Sequence, residues 1–307
     1  MIRIGSRGSK LALTQASEVR RKLARLRPDL RFELVLVKTY GDEYQSVEIF
    51  KKTQVGVFTK AIEKKLLSGA VDIAVHSLKD LPTDLPRGLK LAAVPKRASV
   101  EDVLISRHRY TLESLPPGAR VGTGSPRRKR QLLRLRPDLR VMDLRGNLDT
   151  RTAKVLKEKS LDAVMVARAG LERLGKFKRF CRVVPAKSVL PAVGQGALGL
   201  ETRADDPAVE KIARLLNHPE TEVLARAERC FLKELRGGCR VPVGILAKKV
   251  GSKIHLRAAV FSVKSPAYVE AESIRPFVQA LEAAKLLARE LLKKGARNFL
   301  LEARAGS

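Results

Sequence analysis

The chain has 307 residues, of which 44% are hydrophobic and 31% charged, enough for two or three domains with buried cores. Its 62 lysine and arginine residues against 32 acidic residues give a formal net charge of +30, so we expect an anionic partner. An aromatic content of 4% without tryptophan disfavours base-stacking surfaces for single-stranded nucleic acids. No apolar run approaches the about 18 residues of a membrane span.

The N-terminal sequence and the cysteines both indicate a reducing, cytoplasmic location. Residues 1–5 lead directly into a strand pattern and contain no apolar core of a signal peptide. The cysteines, Cys181, Cys230 and Cys239, are an odd number and lack metal-ligand spacing. We therefore expect free thiols, no disulfide framework and no metal site.

Strand and helix patterns alternate through about residue 200, which predicts βαβ units and a mostly parallel sheet. The first series contains a strand at 2–5, a helix at 9–26, a strand at 32–38, a helix at 59–67, an apolar strand at 71–75 and a strand at 89–94. The second contains a strand at 121–124, a helix at 126–135, a strand at 140–144, a helix at 150–157 and a strand at 162–167. In the second series Ser125 is a suitable N-cap, and Pro126 a suitable first helical residue.

After about residue 217 the pattern changes. It predicts a small α+β unit with an antiparallel sheet. Its elements are a helix at 222–235, strands at 241–246 and 254–263, and a long amphipathic helix at 276–294.

One seven-residue sequence, Arg-Leu-Arg-Pro-Asp-Leu-Arg, occurs at 25–31 and again at 134–140. Chance in an arginine- and leucine-rich chain is one explanation. The other is two topologically similar α/β domains that face each other across a cleft, each with a glycine-containing turn into a helix N-terminus that can bind anions. We expect this α/β fold, with domains at 1–96 plus 197–216, at 97–196, and a smaller α+β domain at 217–307.

Asp80 follows the apolar run at 71–75, which places its carboxylate near the C-terminal end of a strand, where open α/β sheets bind ligands. A lone acid among cations can stabilise a cationic intermediate while the cations hold an anionic substrate. The sequence Asp80-Leu81-Pro82 is equally typical of a simple turn. His76, within the same segment, is interpreted as a structural histidine.

Basic residues gather at two further turns that lead from a strand into a helix. Arg127 and Arg128 occupy the first turn of the helix after Ser125, where positive charge is unfavourable unless an anion lies there. A solvated basic face is the alternative. At the second turn Asn147 can cap a helix, and the flanking Arg145 and Arg151 can bind carboxylates with their planar guanidiniums.

Cys239 follows two glycines at 237–238, which permit close backbone approach and suit a thiol presented into a space. A buried, unreactive thiol is the alternative interpretation, and the one favoured for Cys181 and Cys230.

Together these motifs make the chain resemble the porphobilinogen deaminase (hydroxymethylbilane synthase) family along nearly its whole length. Six matching segments occur in the right order, at 4–12, 75–82, 122–128, 144–147, 190–197 and 237–242. The resemblance implies a monomeric transferase of tetrapyrrole biosynthesis, without nucleic-acid or membrane partners. It also implies that the first two domains are similar to periplasmic binding proteins.

The resemblance also implies the chemistry. Cys239 would carry a covalent dipyrromethane cofactor through a thioether, and four porphobilinogen molecules would be condensed on it before hydroxymethylbilane is released by hydrolysis. Asp80 would be the catalytic acid that stabilises the cationic azafulvene left when porphobilinogen loses ammonia. Cofactor-binding residues would be Lys79, Thr123, Ser125, Arg127, Arg128, Arg145 and Asn147. Substrate-binding residues would be Arg7, Ser9, Lys51, Arg145, Arg151, Arg173 and Gln195.

The segment at 48–58 departs from the family pattern. Val55 stands where the family usually has a lysine, although Lys51 matches another basic position of the same loop. Two other classes of protein account for part of the pattern. A non-catalytic two-lobed anion-binding protein would explain the repeat and the arginines but not Asp80 together with Cys239. A nucleic-acid-binding protein would explain the charge, but the basic residues lie at turns rather than along one helix face.

Overall fold

The structure is a computed structural model that describes residues 1–37, 59–175, 178–236 and 241–305. Lys51, Val55 and Cys239 therefore lie outside the described residues. The strands, numbered in chain order, are β1 (Ile2–Arg7), β2 (Phe32–Val37), β3 (Ile73–Ser77), β4 (Leu89–Ala93), β5 (Asp102–Ser106), β6 (Arg120–Gly122), β7 (Arg140–Met142), β8 (Ala163–Ala167), β9 (Cys181–Val184), β10 (Leu198–Arg203), β11 (Val243–Val250), β12 (Lys253–Phe261) and β13 (Tyr268–Pro276). The α-helices are α1 (Lys10–Leu26), α2 (Lys60–Leu67), α3 (Pro126–Leu135), α4 (Leu148–Leu156), α5 (Arg168–Leu174), α6 (Pro207–Arg214), α7 (Pro219–Glu234), α8 (Ala280–Leu291) and α9 (Arg297–Ala305).

Two five-stranded sheets have the same topology. The first has the order β2-β1-β3-β10-β4 and the second the order β7-β6-β8-β5-β9. In each, the fourth strand of that order runs antiparallel to both neighbours, while the other four run parallel to one another. The expected α/β fold with two similar units and mostly parallel sheets is confirmed.

The repeated seven-residue sequence forms the same turn in both units. Arg27 donates from Nε to Asp29 Oδ1 at 2.8 Å, and Arg136 donates from Nε to Asp138 Oδ1 at 2.8 Å. Each copy links the first helix of its unit, α1 or α3, to the strand that follows it, β2 or β7. The repetition therefore reflects a shared structure, because both the local ion pair and its place in the topology recur.

Both faces of the second sheet are covered, which explains its apolar strands. Along β5, Leu104 packs into a cluster on one face, and Val103 and Ile105 pack into a cluster on the other. The first sheet is arranged likewise, with Ile73 on one face and Ala74 on the other. Because both faces are covered, we expect a functional site at the edge where the parallel strands end.

The C-terminal unit is an antiparallel sheet of order β11-β12-β13 with helices on one face. Phe231 of α7, Leu287 of α8 and Leu256 of β12 share its core. On the other face Phe261 packs with Leu190, which joins this unit to the second one.

Four strands, β5, β9, β10 and β13, are not indicated by the sequence pattern. The predicted helix at 276–294 is wrong at its start, because residues 268–276 form β13 and a 3₁₀ turn precedes α8 (Ala280–Leu291); beyond α8 the chain continues as a π-helical turn over Leu292–Ala296. The edge strand β13 buries little besides Ala271, so it lacks the clear apolar alternation by which strands are recognised. Among the described residues no helix is long and apolar enough to cross a membrane.

Two segments, 94–101 and 185–197, connect the two α/β units. They touch where Ala98 N donates to the Gly196 carbonyl oxygen at 3.2 Å and Arg97 Nε donates to the Gln195 carbonyl oxygen at 2.8 Å. Gly196 has φ +87°, and a Cβ atom there would lie 2.6 Å from the Ser99 carbonyl oxygen. The close crossing of these connections therefore depends on a residue without a side chain.

Candidate active site

Asp80 lies where the sequence predicts, just beyond the C-terminal end of a parallel strand. Strand β3 ends at Ser77, and a 3₁₀ turn over Leu78–Asp80 follows. Leu78 is buried and donates from its backbone N to the Ala197 carbonyl oxygen at 3.0 Å, whereas Asp80 is exposed. The turn is therefore fixed by its first residue and presents the carboxylate of its last residue to the outside. His76 pairs with Glu201 inside the unit and is structural, as expected.

The N-terminus of α3 faces this region from the second unit. Ser125 Oγ accepts a hydrogen bond from Arg128 N, and Pro126 is the first helical residue, so both cap predictions are confirmed. Arg127 and Arg128 are only 4% and 5% exposed, which rules out a solvated basic face. Thr123, just before the cap, is also buried, and its Oγ1 accepts a hydrogen bond from Ser125 N at 3.3 Å.

Both arginines bind one acid that the sequence does not single out, Asp102. Arg128 Nη2 donates to Asp102 Oδ1 at 2.7 Å, and Arg127 Nη2 donates to Asp102 Oδ2 at 2.9 Å. Burial acts to raise the pKa of Asp102, but the two guanidiniums outweigh it and hold that pKa far below its usual range. An anion does compensate the arginines at this helix terminus, and it belongs to the protein itself.

Gln195 completes this buried group. It donates from Nε2 to Asp102 Oδ1 at 2.9 Å and to the Val100 carbonyl oxygen at 2.7 Å. The structure thus places Gln195 inside the network behind the arginines, with a side chain that is almost fully enclosed.

Lys79 and Arg151 connect Asp80 electrostatically with the arginines. Burial lowers the pKa of Lys79, Asp80 opposes this, and Arg128 lowers it further. Burial also lowers the pKa of Arg151, with Arg128 acting in the same direction and Asp80 against it. Lys79 of the first unit and Arg151 of the second thus each interact electrostatically with both Asp80 and Arg128.

Residues at the turn before α4 have mainly a local role in the structure. Asn147 Oδ1 accepts from Thr150 N at 2.8 Å and so caps α4, as the sequence predicts. Arg151 Nε donates to the Gly146 carbonyl oxygen at 2.8 Å, which ties its guanidinium to the turn. Arg145 is exposed beside them.

The remaining predicted residues lie on either side of the connections. Ser9 caps α1 by accepting from Ala12 N at 3.3 Å, and Arg7 ends the neighbouring strand β1. Arg173 donates from Nη2 to the Gly196 carbonyl oxygen at 2.9 Å, which ties it to the connecting segment. Burial lowers the pKa of Arg173, with Glu18 opposing it.

Two family models match this chain. The porphobilinogen deaminase dipyromethane cofactor binding domain matches residues 2–211, and the porphobilinogen deaminase C-terminal domain matches residues 223–293. The chain belongs to the porphobilinogen deaminase family. It is thus a transferase by family, and its first two units form the family's cofactor-binding region.

Relatives named porphobilinogen deaminase match it end to end. That of Syntrophomonas wolfei is 45% identical over 303 residues, covering 99% of each chain. That of Chlorobium phaeobacteroides strain BS1 is 45% identical over 305 residues, covering 98% of this chain and 97% of the relative. Among solved structures, a Salmonella typhimurium periplasmic binding protein with arginine specificity aligns with a TM-score of 0.40 at 13% identity, covering 73% of this chain and 92% of that one. That score is too low to add to the topology described above.

The donors at this site fit the dipyrromethane of the porphobilinogen deaminase family, whose pyrroles carry acetate and propionate groups. Arg127 and Arg128 share the single carboxylate of Asp102, so the group keeps one net positive charge for a further anion. The Nε atoms of both arginines are buried and have no hydrogen-bond partner within the part of the chain that the structure describes. The site therefore has more cationic donors than acids, and its exposed acid is Asp80. This balance of charges matches a ligand that carries several carboxylates and develops a positive charge at one end.

Proposed function

We propose that this chain catalyses the porphobilinogen deaminase reaction, with Asp80 as its catalytic acid and a dipyrromethane held through a thioether at Cys239. The observation that carries this proposal is the exposed carboxylate of Asp80 just beyond the C-terminal end of β3, where it interacts electrostatically with Lys79 and Arg151. The dipyrromethane, when bound, supplies the free α-carbon to which the first porphobilinogen is joined.

Asp80 is suited to stabilise positive charge. Its turn is anchored through Leu78, so the residue keeps its place while its carboxylate stays exposed to a ligand. There it accepts a hydrogen bond from a pyrrole N–H and faces the positive charge that develops on porphobilinogen as ammonia leaves. A preorganised carboxylate stabilises that charge more than water does, because it need not reorient during the reaction.

The cations hold the acidic side chains of the ligand. Arg151 is held at the turn by its hydrogen bond to Gly146, and Lys79 precedes Asp80 on the same 3₁₀ turn. Guanidiniums bind carboxylates with two parallel hydrogen bonds, which fixes orientation as well as position. Repeated condensation adds more carboxylates to the chain, so the excess of cations serves every round of the reaction.

Cys239 follows α7, whose last helical residue is Glu234. We therefore propose attachment at this thiol on the strength of its position in the family motif and of the helix that leads to it. Cys230 lies on α7 itself, where burial raises the pKa of its thiol and its Sγ contacts the Leu281 carbonyl oxygen at 3.7 Å. It is thus a matched, less reactive control.

Intact mass spectrometry of protein made in cells tests the proposal. Wild type and Cys230→Ser are expected to carry the extra mass of two linked pyrrole units and to consume porphobilinogen, whereas Cys239→Ser is expected to do neither. A wild type without the added mass, and inactive after incubation with porphobilinogen, would leave a non-catalytic anion-binding protein as the better interpretation.

We also propose the domain boundaries 1–96 with 197–216, 97–196 and 217–307. In support, β10 pairs with β3 and β4 of the first sheet although it follows the second unit in sequence.

We further propose a cytoplasmic monomer that acts on porphobilinogen without nucleic-acid or membrane partners. The lack of a nucleic-acid partner is supported by the placement of the basic residues at strand-to-helix turns rather than along one helix face. Light scattering is expected to give the mass of one chain.

A further inference from the structure

Asp102 is an acid enclosed by cations, with a relative exposure of 1%. Its Oδ1 accepts hydrogen bonds from Arg128 Nη2 and Gln195 Nε2, at 2.7 and 2.9 Å, and its Oδ2 accepts one from Arg127 Nη2 at 2.9 Å. A carboxylate that receives three donors at such distances is held rigidly and holds its donors rigidly in turn.

The topology explains why this acid is here. Asp102 begins β5, which runs antiparallel to β8, so its first residue is opposite Ala167 at the end of β8. That is the edge at which the parallel strands end and α3 begins. The antiparallel strand thus delivers a carboxylate to the site from the direction opposite to every other element of the sheet.

Each guanidinium is fixed at two of its nitrogens. Arg127 Nη1 donates to the Leu190 carbonyl oxygen at 2.5 Å, and Arg128 Nη1 donates to the Met165 carbonyl oxygen at 3.3 Å, in addition to their bonds to Asp102. With two points held, the planar groups cannot rotate, and the directions of their remaining N–H groups are set. Removing Asp102 would free one of the two points on each.

Asp102 also sets the charge of the region. It neutralises one of two buried guanidiniums and so leaves one net positive charge, next to Lys79, which responds to all three groups. Without that carboxylate, two neighbouring buried cations would repel each other and separate.

We propose that Asp102 is a positioning residue that orients Arg127 and Arg128 toward the acidic groups of the pyrrole chain. The inference rests on the proposed function and deepens it, because it assigns a task to a residue that acts through the two arginines it binds. A purely structural role would lower stability and the active fraction, whereas a positioning role changes how tightly the active fraction binds its substrate.

The test compares Asp102→Asn with Asp138→Asn. Asp138 also receives two hydrogen bonds from one arginine, Arg136, but on the surface of the same unit and away from the site. In Asp102→Asn the amide NH₂ faces a guanidinium, so we expect KM for porphobilinogen to rise about tenfold or more, since small misplacements of binding groups are costly. The attached mass and the active fraction are measured separately by intact mass spectrometry. Asp138→Asn is expected to keep the wild-type KM.

A second variant, Asp102→Glu, is measured in case Asp102→Asn does not fold. It keeps the negative charge but moves the carboxylate, so a folded, pyrrole-carrying protein with a raised KM supports positioning. If both folded variants have the wild-type KM and differ only in thermal stability, Asp102 is structural and the inference is wrong. A wild type that neither carries the pyrrole mass nor consumes porphobilinogen instead overturns the proposed function, and the role of Asp102 with it.

Discussion

Arg229 donates from Nη1 to the Leu81 carbonyl oxygen at 2.9 Å, which ties α7 of the C-terminal unit to the residue after Asp80. Its Nη2 donates to the carbonyl oxygens of Pro82 at 2.6 Å and Thr83 at 3.3 Å. The turn at 81–83, directly after Asp80, is therefore held by the same helix that leads to Cys239. Asp80 is both a turn residue and a presented acid, so the two interpretations of its sequence are compatible.

Replacement of Arg229 by glutamine is expected to loosen this turn. The variant leaves the buried Leu81 carbonyl oxygen and the partly buried ones of Pro82 and Thr83 without this donor, which costs about 1–3 kcal/mol where water cannot replace it. We expect a lower free energy of unfolding in urea and a fall in kcat, because the carboxylate of Asp80 loses its fixed position. Lys233→Gln is the control, since Lys233 contacts Asp84 one turn along α7 but both side chains are exposed. A loss of at most about 1 kcal/mol is expected there. Equal effects of the two substitutions would contradict a specific role for Arg229.

Replacement of Asp80 by asparagine separates chemistry from folding. The side chain is exposed, so the change should alter the melting temperature little. We expect kcat to fall by about a hundredfold or more, since the charge that opposes the developing cation is lost. The control is Asp84→Asn, a nearby exposed acid that pairs with Lys233. Near-normal turnover of Asp80→Asn would remove Asp80 from its assigned role.

A buried ion pair joins the connecting segments to α7. Arg97 Nη1 and Nη2 donate to Glu228 Oε1 and Oε2 at 2.8 and 2.9 Å, and Glu228 also accepts from Gly194 N at 2.7 Å. Glu228→Leu alone should cost about 3–5 kcal/mol of unfolding free energy, because it leaves the Arg97 charge buried. The double variant with Arg97→Met should be less destabilised than Glu228→Leu alone. Urea unfolding of Glu228→Leu, Arg97→Met and the double variant measures the difference, and additive losses would show that the pair is not coupled.

The pH dependence of the unfolding free energy should show the effect of burying the carboxyl group of Glu63. Burial raises the pKa of Glu63 above its ordinary value of 4.5, and the nearby Glu201 raises it further. The hydrogen bond with Thr59 and the charges of His76 and Lys60 act to lower this pKa, but burial outweighs them. An acid whose pKa is higher in the folded state binds more protons there, so its contribution to stability is lost as pH rises through that raised pKa. Glu63→Gln should therefore match wild type at low pH and become more stable than wild type toward neutral pH. Unfolding free energies measured across this range test it, and parallel curves would contradict it.

Local sequence preferences were sufficient to predict the parts of the site whose structure depends on neighbouring residues in the chain. Ser125 and Asn147 follow capping preferences, and Asp80 follows from the apolar strand before it. Asp102 could not be found in this way, because its importance depends on the antiparallel direction of β5, which its own sequence does not encode. The positive charge at the start of α3 did indicate an anion, but the sequence could not reveal that the protein supplies one itself.

Gly196 offers a sharp test of the crossing between the two connections. Gly118 also has a positive φ, +70°, but a Cβ atom there would have no neighbour within 4 Å, whereas at Gly196 it would lie 2.6 Å from the Ser99 and 2.7 Å from the Ala98 carbonyl oxygens. Alanine at either position incurs the left-handed backbone cost of about 1–2 kcal/mol. Only Gly196→Ala must also push backbone atoms apart, which adds about 1–3 kcal/mol of overpacking. We expect it to raise KM for porphobilinogen as well, because Gln195 and Asp102 lie next to the displaced segment. Equal unfolding free energies for the two alanine variants would show that the connections can separate without cost.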